Sequence, residues 1–152
     1  MDDLTLITQS LMRLLAMREH SQKELHRKLT QKDYTTELVE KAIDSLAEQD
    51  LQSDQRYVEM MIRSAHAKGH GPNRLWQSLQ QNGIGRDLYD QCMAGAEIDW
   101  WQLAYQVKEK KFGDLVEKDW KQKQRQQRFL LNRGFNIDQI NYAIALQAST
   151  DA

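Results

Sequence analysis

Residues 21–43, SQKELHRKLTQKDYTTELVEKAI, lie over residues 71–93, GPNRLWQSLQQNGIGRDLYDQCM, at an offset of 50 and without a gap. Leu25 meets Leu75, Leu29 meets Leu79, Tyr34 meets Ile84, Leu38 meets Leu88, Val39 meets Tyr89 and Ile43 meets Met93. A third copy follows at a further offset of 51, where RFLLNRGFNIDQINYAI puts Leu130, Phe135, Ile140 and Ile144 into four of the same columns. Repetition at such a period restricts the fold to supersecondary units that bury their apolar faces against one another.

The columns describe two helices joined by a tight turn. Leu25 and Leu29 are four apart and share one helical face, while Val39, Ala42 and Ile43 follow the i, i+3, i+4 spacing of an amphipathic stripe. The single apolar residue between them, Tyr34, Ile84 or Phe135, plugs the turn. Thr35, Gly85 and Asn136 share one column just before the second helix, and each is an acceptable N-cap residue. Asn136 has Gln139 three residues on, as a capping box requires.

A further helix precedes each pair. LTLITQSLMRLLAMREH carries Leu4, Ile7, Leu11, Leu14 and Leu15 on one stripe, SDQRYVEMMIRSAHAKG carries Tyr57, Val58, Met61, Ile62 and Ala65, and DWWQLAYQVKEKKFG offers Trp100, Leu103, Ala104 and Val107. In the third unit an insertion follows Gly113, and its middle helix is expected to begin early, near Asp119. The expected fold is all-α: three tandem three-helix, helix-turn-helix-like repeats over residues 1–51, 52–97 and 98–152, in an elongated array able to curve. The scarcity of breakers agrees, with seven glycines and one proline in 152 residues.

Three of those breakers fall together in KGHGP. Gly69 closes one helix, Gly71 occupies the starting position that Ser21 holds in the first unit, and Pro72 sits at the first helical position. Ser21 is followed three residues later by Glu24, the capping-box pattern that Gly71 and Pro72 replace. The cluster therefore marks a sharp corner between two helices.

Charge is distributed in blocks although the net value is only −1. Residues 33–59 hold eight acids against Lys41 and Arg56, and residues 60–86 hold Arg63, Lys68, Arg74 and Arg86 with no acid. Residues 108–133 hold nine Lys or Arg against four acids. Such blocks are often only solvated helix faces, but they also suit a polyanion or an acidic protein surface. Arg63, Lys68, Arg74, Arg86, Lys121, Lys123, Arg125 and Arg128 are the candidate partner-binding residues, together with Trp76, which follows a core leucine and is expected to point sideways beside Arg74. The other tryptophans, Trp100, Trp101 and Trp120, could offer stacking platforms for bases, but tryptophans at helical spacing are more often packing residues.

Catalytic constellations are poor, so the chain reads as a non-enzyme without metal or cofactor. His66 and His70 are four apart, but Gly69 breaks the helix between them and no cysteine or acid lies near to complete a metal site. Cys92 aligns with Ala42 and Ala143 and reads as a small core residue. One cysteine forms no internal disulfide, the start MDDLTLITQS lacks the pattern of a leader, and no run approaches the roughly 20 apolar residues that span a bilayer. A cytoplasmic protein with no membrane partner is expected.

Five stretches, REHSQKELHRKL, DLQSDQRYV, KGHGPNRLWQSLQQNGI, IDWWQLA and RFLLNRGFNIDQI, resemble the successive signatures of the RecX family in their proper order, covering the chain from about Leu11 to Ile144. Any one is weak, and the five together are highly specific. Trp76 stands where that family commonly has a basic residue, Ser78 where Glu is frequent, and Asp50 where Gly is common. The resemblance implies a modular helical regulator that binds RecA and the RecA–DNA filament. It would suppress ATP hydrolysis, strand exchange and coprotease activity in homologous recombination, DNA repair and the SOS response, by lodging in the filament groove or limiting extension. A direct DNA-binding module is the alternative, since two helices meeting at a short turn resemble a helix-turn-helix, and weak direct DNA binding is compatible with either reading.

Overall fold

The computed structural model describes residues 2–146, which form nine helices and no strand among the described residues. In chain order they are α1 (Asp3–Met17), α2 (Gln22–Thr30), α3 (Thr36–Glu48), α4 (Asp54–Lys68), α5 (Pro72–Gln81), α6 (Arg86–Ala96), α7 (Trp100–Phe112), α8 (Trp120–Asn132) and α9 (Ile137–Ala145). They fall into three successive three-helix groups; position 1 and positions 147–152 of the expected outer units lie outside the described residues.

Local chemistry explains the boundaries. Ser21 Oγ accepts from the Glu24 backbone N–H at 3.1 Å while Glu24 Oε1 accepts from the Ser21 N–H at 3.1 Å, so a complete capping box starts α2. Asn136 and Gln139 form the same reciprocal pair at 2.9 and 3.0 Å at the start of α9. Thr35 occupies the cap position of α3 but makes no side-chain bond there, which is a departure from its sequence reading. Gly69 ends α4 at φ +71°, where a side chain would be strained, and α8 starts at Trp120 with Asp119 as its cap.

The register of the repeat is kept inside the protein. Leu29, Leu79 and Leu130 are each 0% exposed, and the columns Val39/Tyr89/Ile140 and Ala42/Cys92/Ala143 are buried throughout. One core column is broken. Gln126 takes the place of Leu25 and Leu75, is only 4% exposed, and leaves its Oε1 without a hydrogen-bond partner.

The chain divides into two compact units. The first comprises Met1–Met61 with Leu79–Gly95, and in it α1 packs on α2 and α3 around Ile7, Leu11, Leu25, Leu29, Val39, Ile43 and Leu46. Beside this core His20 is buried, with Nδ1 3.0 Å from the Arg18 carbonyl and Nε2 3.2 Å from Lys28 Nζ. Gln52, also buried, donates to the His20 carbonyl at 3.1 Å and to Asp54 Oδ1 at 3.0 Å. Arg56 bonds Glu19 Oε2 and Asp50 Oδ1 at 2.9 Å and the Asp50 carbonyl at 2.7 Å, holding Asp50 at its φ of +59°. That clasp accounts for an aspartate where the resembling family commonly has glycine, since Asp is among the few side chains that tolerate the left-handed region.

The second unit comprises Ile62–Ser78 with Ala96–Ala152, of which residues up to 146 are described, and here α7 packs on α8 and α9. The α8–α9 turn sits on the start of α5. The Gly71 N–H donates to the Arg133 carbonyl at 2.8 Å and the Asn73 N–H to the Gly134 carbonyl at 2.9 Å, so two N–H groups at the start of α5 find acceptors in a different helix pair. A Cβ on Gly71 would lie 2.5 Å from the Gly134 carbonyl carbon, and one on Gly134 would lie 2.3 Å from Arg74 Cβ. These backbones touch because both residues lack side chains. In the first unit the matching turn makes a similar approach, with Gly83 placed against the stem of Lys23 at the start of α2.

Candidate partner-binding surface

The α4–α5 corner, α7 and the end of α8 enclose an open groove of about 530 Å³ in the second unit. Its floor is apolar, formed by Leu103 and Val107 of α7 and Phe129 of α8, and its walls carry Lys68, Lys110, Lys111 and Arg133. No carboxylate lines it among the described residues. The corner is pressed close to the floor: a Cβ on Gly69 would come within 2.8 Å of Val107 Cγ2.

Phe129 organises the cations. Lys111 Nζ lies over its ring at 5.4 Å from the centroid and Arg133 Cζ lies over it at 5.0 Å, distances at which the ring quadrupole attracts a positive charge. Phe112 meets Phe129 edge to face at 5.4 Å and 89°, which fixes the ring. Arg133 Nη1 also reaches the Lys68 carbonyl at 3.4 Å.

Positive charge continues around His70. Burial, then the charges of Arg74, Arg133 and Lys68, hold its imidazole below its ordinary value, so His70 stays neutral beside three cations. Lys68 and Arg74, both candidates by sequence, are thus brought together with Arg133, which stands outside the candidate set. Arg63 is exposed on α4, and Trp76 is half-buried on α5 and engaged in an interaction of its own. Arg86 belongs to the first unit, pairs with Asp90 at 3.0 Å and lies over the Tyr89 ring at 5.1 Å. On α8, Lys121, Arg125 and Arg128 recur at i, i+4 and i+7 and are exposed along one face, with Lys123 half-buried.

Sequence reasoning placed the nine basic residues of 108–133 in one block, but Lys108 is turned inward. It is 0% exposed, donates to the Leu115 carbonyl at 2.9 Å, and is held below its ordinary value by burial. Lys110, Lys111 and Arg133, which line the groove, carried no distinguishing signal in the sequence beyond their charge.

Cys92 is buried, and its thiol is pushed above its ordinary value by burial and then by Glu59, which keeps it protonated. No three His, Cys, Asp or Glu side chains converge as metal ligands among the described residues, and no described helix is long and apolar enough to cross a membrane. The cations of the groove are placed to pair with anionic groups.

Comparison with known proteins accords with the three-helix grouping. Models of the first, second and third three-helix domains of RecX match residues 9–46, 53–93 and 97–144. The chain is 37% identical over 140 residues to the regulatory protein RecX of Halorhodospira halophila, covering 92% of this chain and 87% of that protein. It is 42% identical over 139 residues to that of Cronobacter sakazakii, covering 85% and 84%. In fold it is similar to the crystal structure of RecX from Lactobacillus salivarius, with a TM-score of 0.78 at 21% identity over 94% of this chain and 95% of that one.

Proposed function

Since the chain belongs to the RecX family, we propose that it is a regulatory protein that binds the recombinase RecA and the RecA–DNA filament. It acts in the cytoplasm without catalysis of its own, slowing ATP hydrolysis, strand exchange and coprotease activity. Family membership across all three three-helix domains carries this reading, and the regulatory names of the curated relatives support it. The physical counterpart is a set of exposed cations on repeated helices, suited to an acidic protein surface or to phosphates.

Arg63, Lys68 and Arg74 are assigned to the contact, with Trp76, Arg86, Lys121, Lys123, Arg125 and Arg128 as further contact residues. The DNA-dependent ATPase of RecA, measured against increasing amounts of this protein, tests the reading. Hydrolysis should fall with added protein, and the triple change Arg63→Glu, Lys68→Glu, Arg74→Glu should weaken the effect while helicity by circular dichroism is retained. Unchanged hydrolysis together with an absence of binding to the filament would reject the proposal. Tight sequence-specific binding to naked DNA in a gel shift, with no recombinase present, would favour a DNA-binding module instead.

A further inference from the structure

The cationic groove of the second unit has a chemistry more specific than a basic surface. Four positive side chains from three helices surround an apolar floor, and no acid in the lining neutralises them. Two of the cations are held over the Phe129 ring, so their heads are gathered at the floor instead of ranging through solvent. We infer that this groove receives an acidic peptide segment of a partner protein, with carboxylates paired to Lys68, Lys110, Lys111 and Arg133 and an apolar side chain seated on Leu103, Val107 and Phe129.

Two observations favour a peptide over a nucleic acid strand. Single-strand binding sites rely on aromatic faces open to bases, but Lys111 and Arg133 lie over the Phe129 ring and a base would have to displace a cation to stack there. The floor is otherwise aliphatic, which suits a leucine or phenylalanine side chain and offers a sugar–phosphate chain nothing. An acidic segment with interspersed apolar residues satisfies both wall and floor, combining charge-assisted hydrogen bonds with burial. The inference stands on the groove alone and does not depend on which protein is regulated.

The test uses the whole protein and three fluorescein-labelled probes: a peptide alternating Glu with Leu, the same peptide with Gln for Glu, and oligothymidylate. Fluorescence anisotropy at about 0.1 M salt should show saturable binding of the acidic peptide and little of the neutral one. The pair Lys110→Glu, Lys111→Glu should weaken binding of the acidic peptide by about tenfold or more. Lys32→Glu, Lys41→Glu, which changes the same charge at exposed positions of the first unit, should leave it unaltered. Circular dichroism of both variants separates loss of the groove from loss of the fold. Three results would overturn the inference: no saturable peptide binding, peptide binding equal in the Lys110/Lys111 variant and the parent, or tighter binding of oligothymidylate that the same variant abolishes.

Discussion

Replacing Gly134 by alanine should cost far more than the same change at the uncrowded glycines Gly95 and Gly113, because its Cβ would enter another helix's backbone. At φ +99° an L-residue is strained by about 1–2 kcal/mol. The added atom would stand 2.3 Å from Arg74 Cβ and 2.7 Å from Arg74 N, well inside contact distance, so the turn and α5 must separate. Separation stretches the bonds from Gly71 N–H to the Arg133 carbonyl and from Asn73 N–H to the Gly134 carbonyl, each worth about 1 kcal/mol net, and overpacking adds about 1–3 kcal/mol. The expected loss is about 4–7 kcal/mol, a large share of the stability of a domain this size. Gly113→Ala provides the comparison: at φ +90° and ψ 178° an L-residue is also strained, but nothing lies within 4 Å of the new Cβ, so backbone strain alone, about 1–3 kcal/mol, is expected. Gly95→Ala, near the end of α6 and equally uncrowded, should stabilise by up to about 1 kcal/mol. Urea unfolding followed by circular dichroism and tryptophan fluorescence measures all three. A Gly134 variant no less stable than the Gly113 variant would refute the contact between the turn and α5.

Gln126→Leu should raise stability by about 1–2 kcal/mol, since it removes an unpartnered buried oxygen and restores the leucine of the Leu25/Leu75 column; a lower urea midpoint would contradict this. Stability should fall as pH drops below about 6.5, the ordinary value of histidine. His20 is held below that value by burial first, opposed by its bond to the Arg18 carbonyl and helped by the charges of Arg18 and Lys28, and His70 by burial and then Arg74, Arg133 and Lys68. The unfolded chain therefore binds more protons in that range than the folded one, so the stabilisation is complete above about 6.5 and is lost on acidification towards the depressed values. Urea midpoints across this window check the sign, and the fall should be shallower in His20→Asn; a midpoint that rises on acidification would overturn the assignment.

Much of the fold was legible because it is written in local chemistry. Ser21 with Glu24 and Asn136 with Gln139 are self-contained capping signals, Gly69 ends a helix by its own conformation, and the leucine column survives as Leu29, Leu79 and Leu130 in the core. What was illegible needs tertiary neighbours. Gly71 was read as a helix start, but its lack of a side chain also admits the Gly134 carbonyl, 63 positions further along the chain. Charge blocks were readable and charge directions were not. Lys108 and Lys110 stand two apart on α7, yet one is buried against the Leu115 carbonyl and the other lines the groove. Arg133 drew no notice in the sequence because its significance comes from Phe129, Lys68 and His70, which arrive from other turns of the structure.

The insertion after Gly113 shows where repetition of the apolar columns parts from repetition of the docking chemistry. In the first two groups the middle helix opens at a corner, and that opening receives a glycine-bearing turn: Gly83 beside Lys23, Gly134 beside Arg74. In the third group the position matching Gly71 is Gln122, which lies inside α8 and is no longer a corner. The helix reaches further back, from Trp120, and the Lys123 N–H is already bonded to the Asp119 carbonyl at 2.9 Å. The preceding segment is tied down on its own account, by Lys108 to the Leu115 carbonyl and by Glu117 Oε1 accepting from the Lys118 and Asp119 N–H groups at 3.0 and 2.9 Å. A turn of the Gly134 kind docks by accepting from free N–H groups, and α8 has moved those donors away from the repeated position. The insertion thus keeps the core register of the third group, while replacing the surface on which another repeat would sit with one that exposes Leu115, Trp120 and the cations of α8.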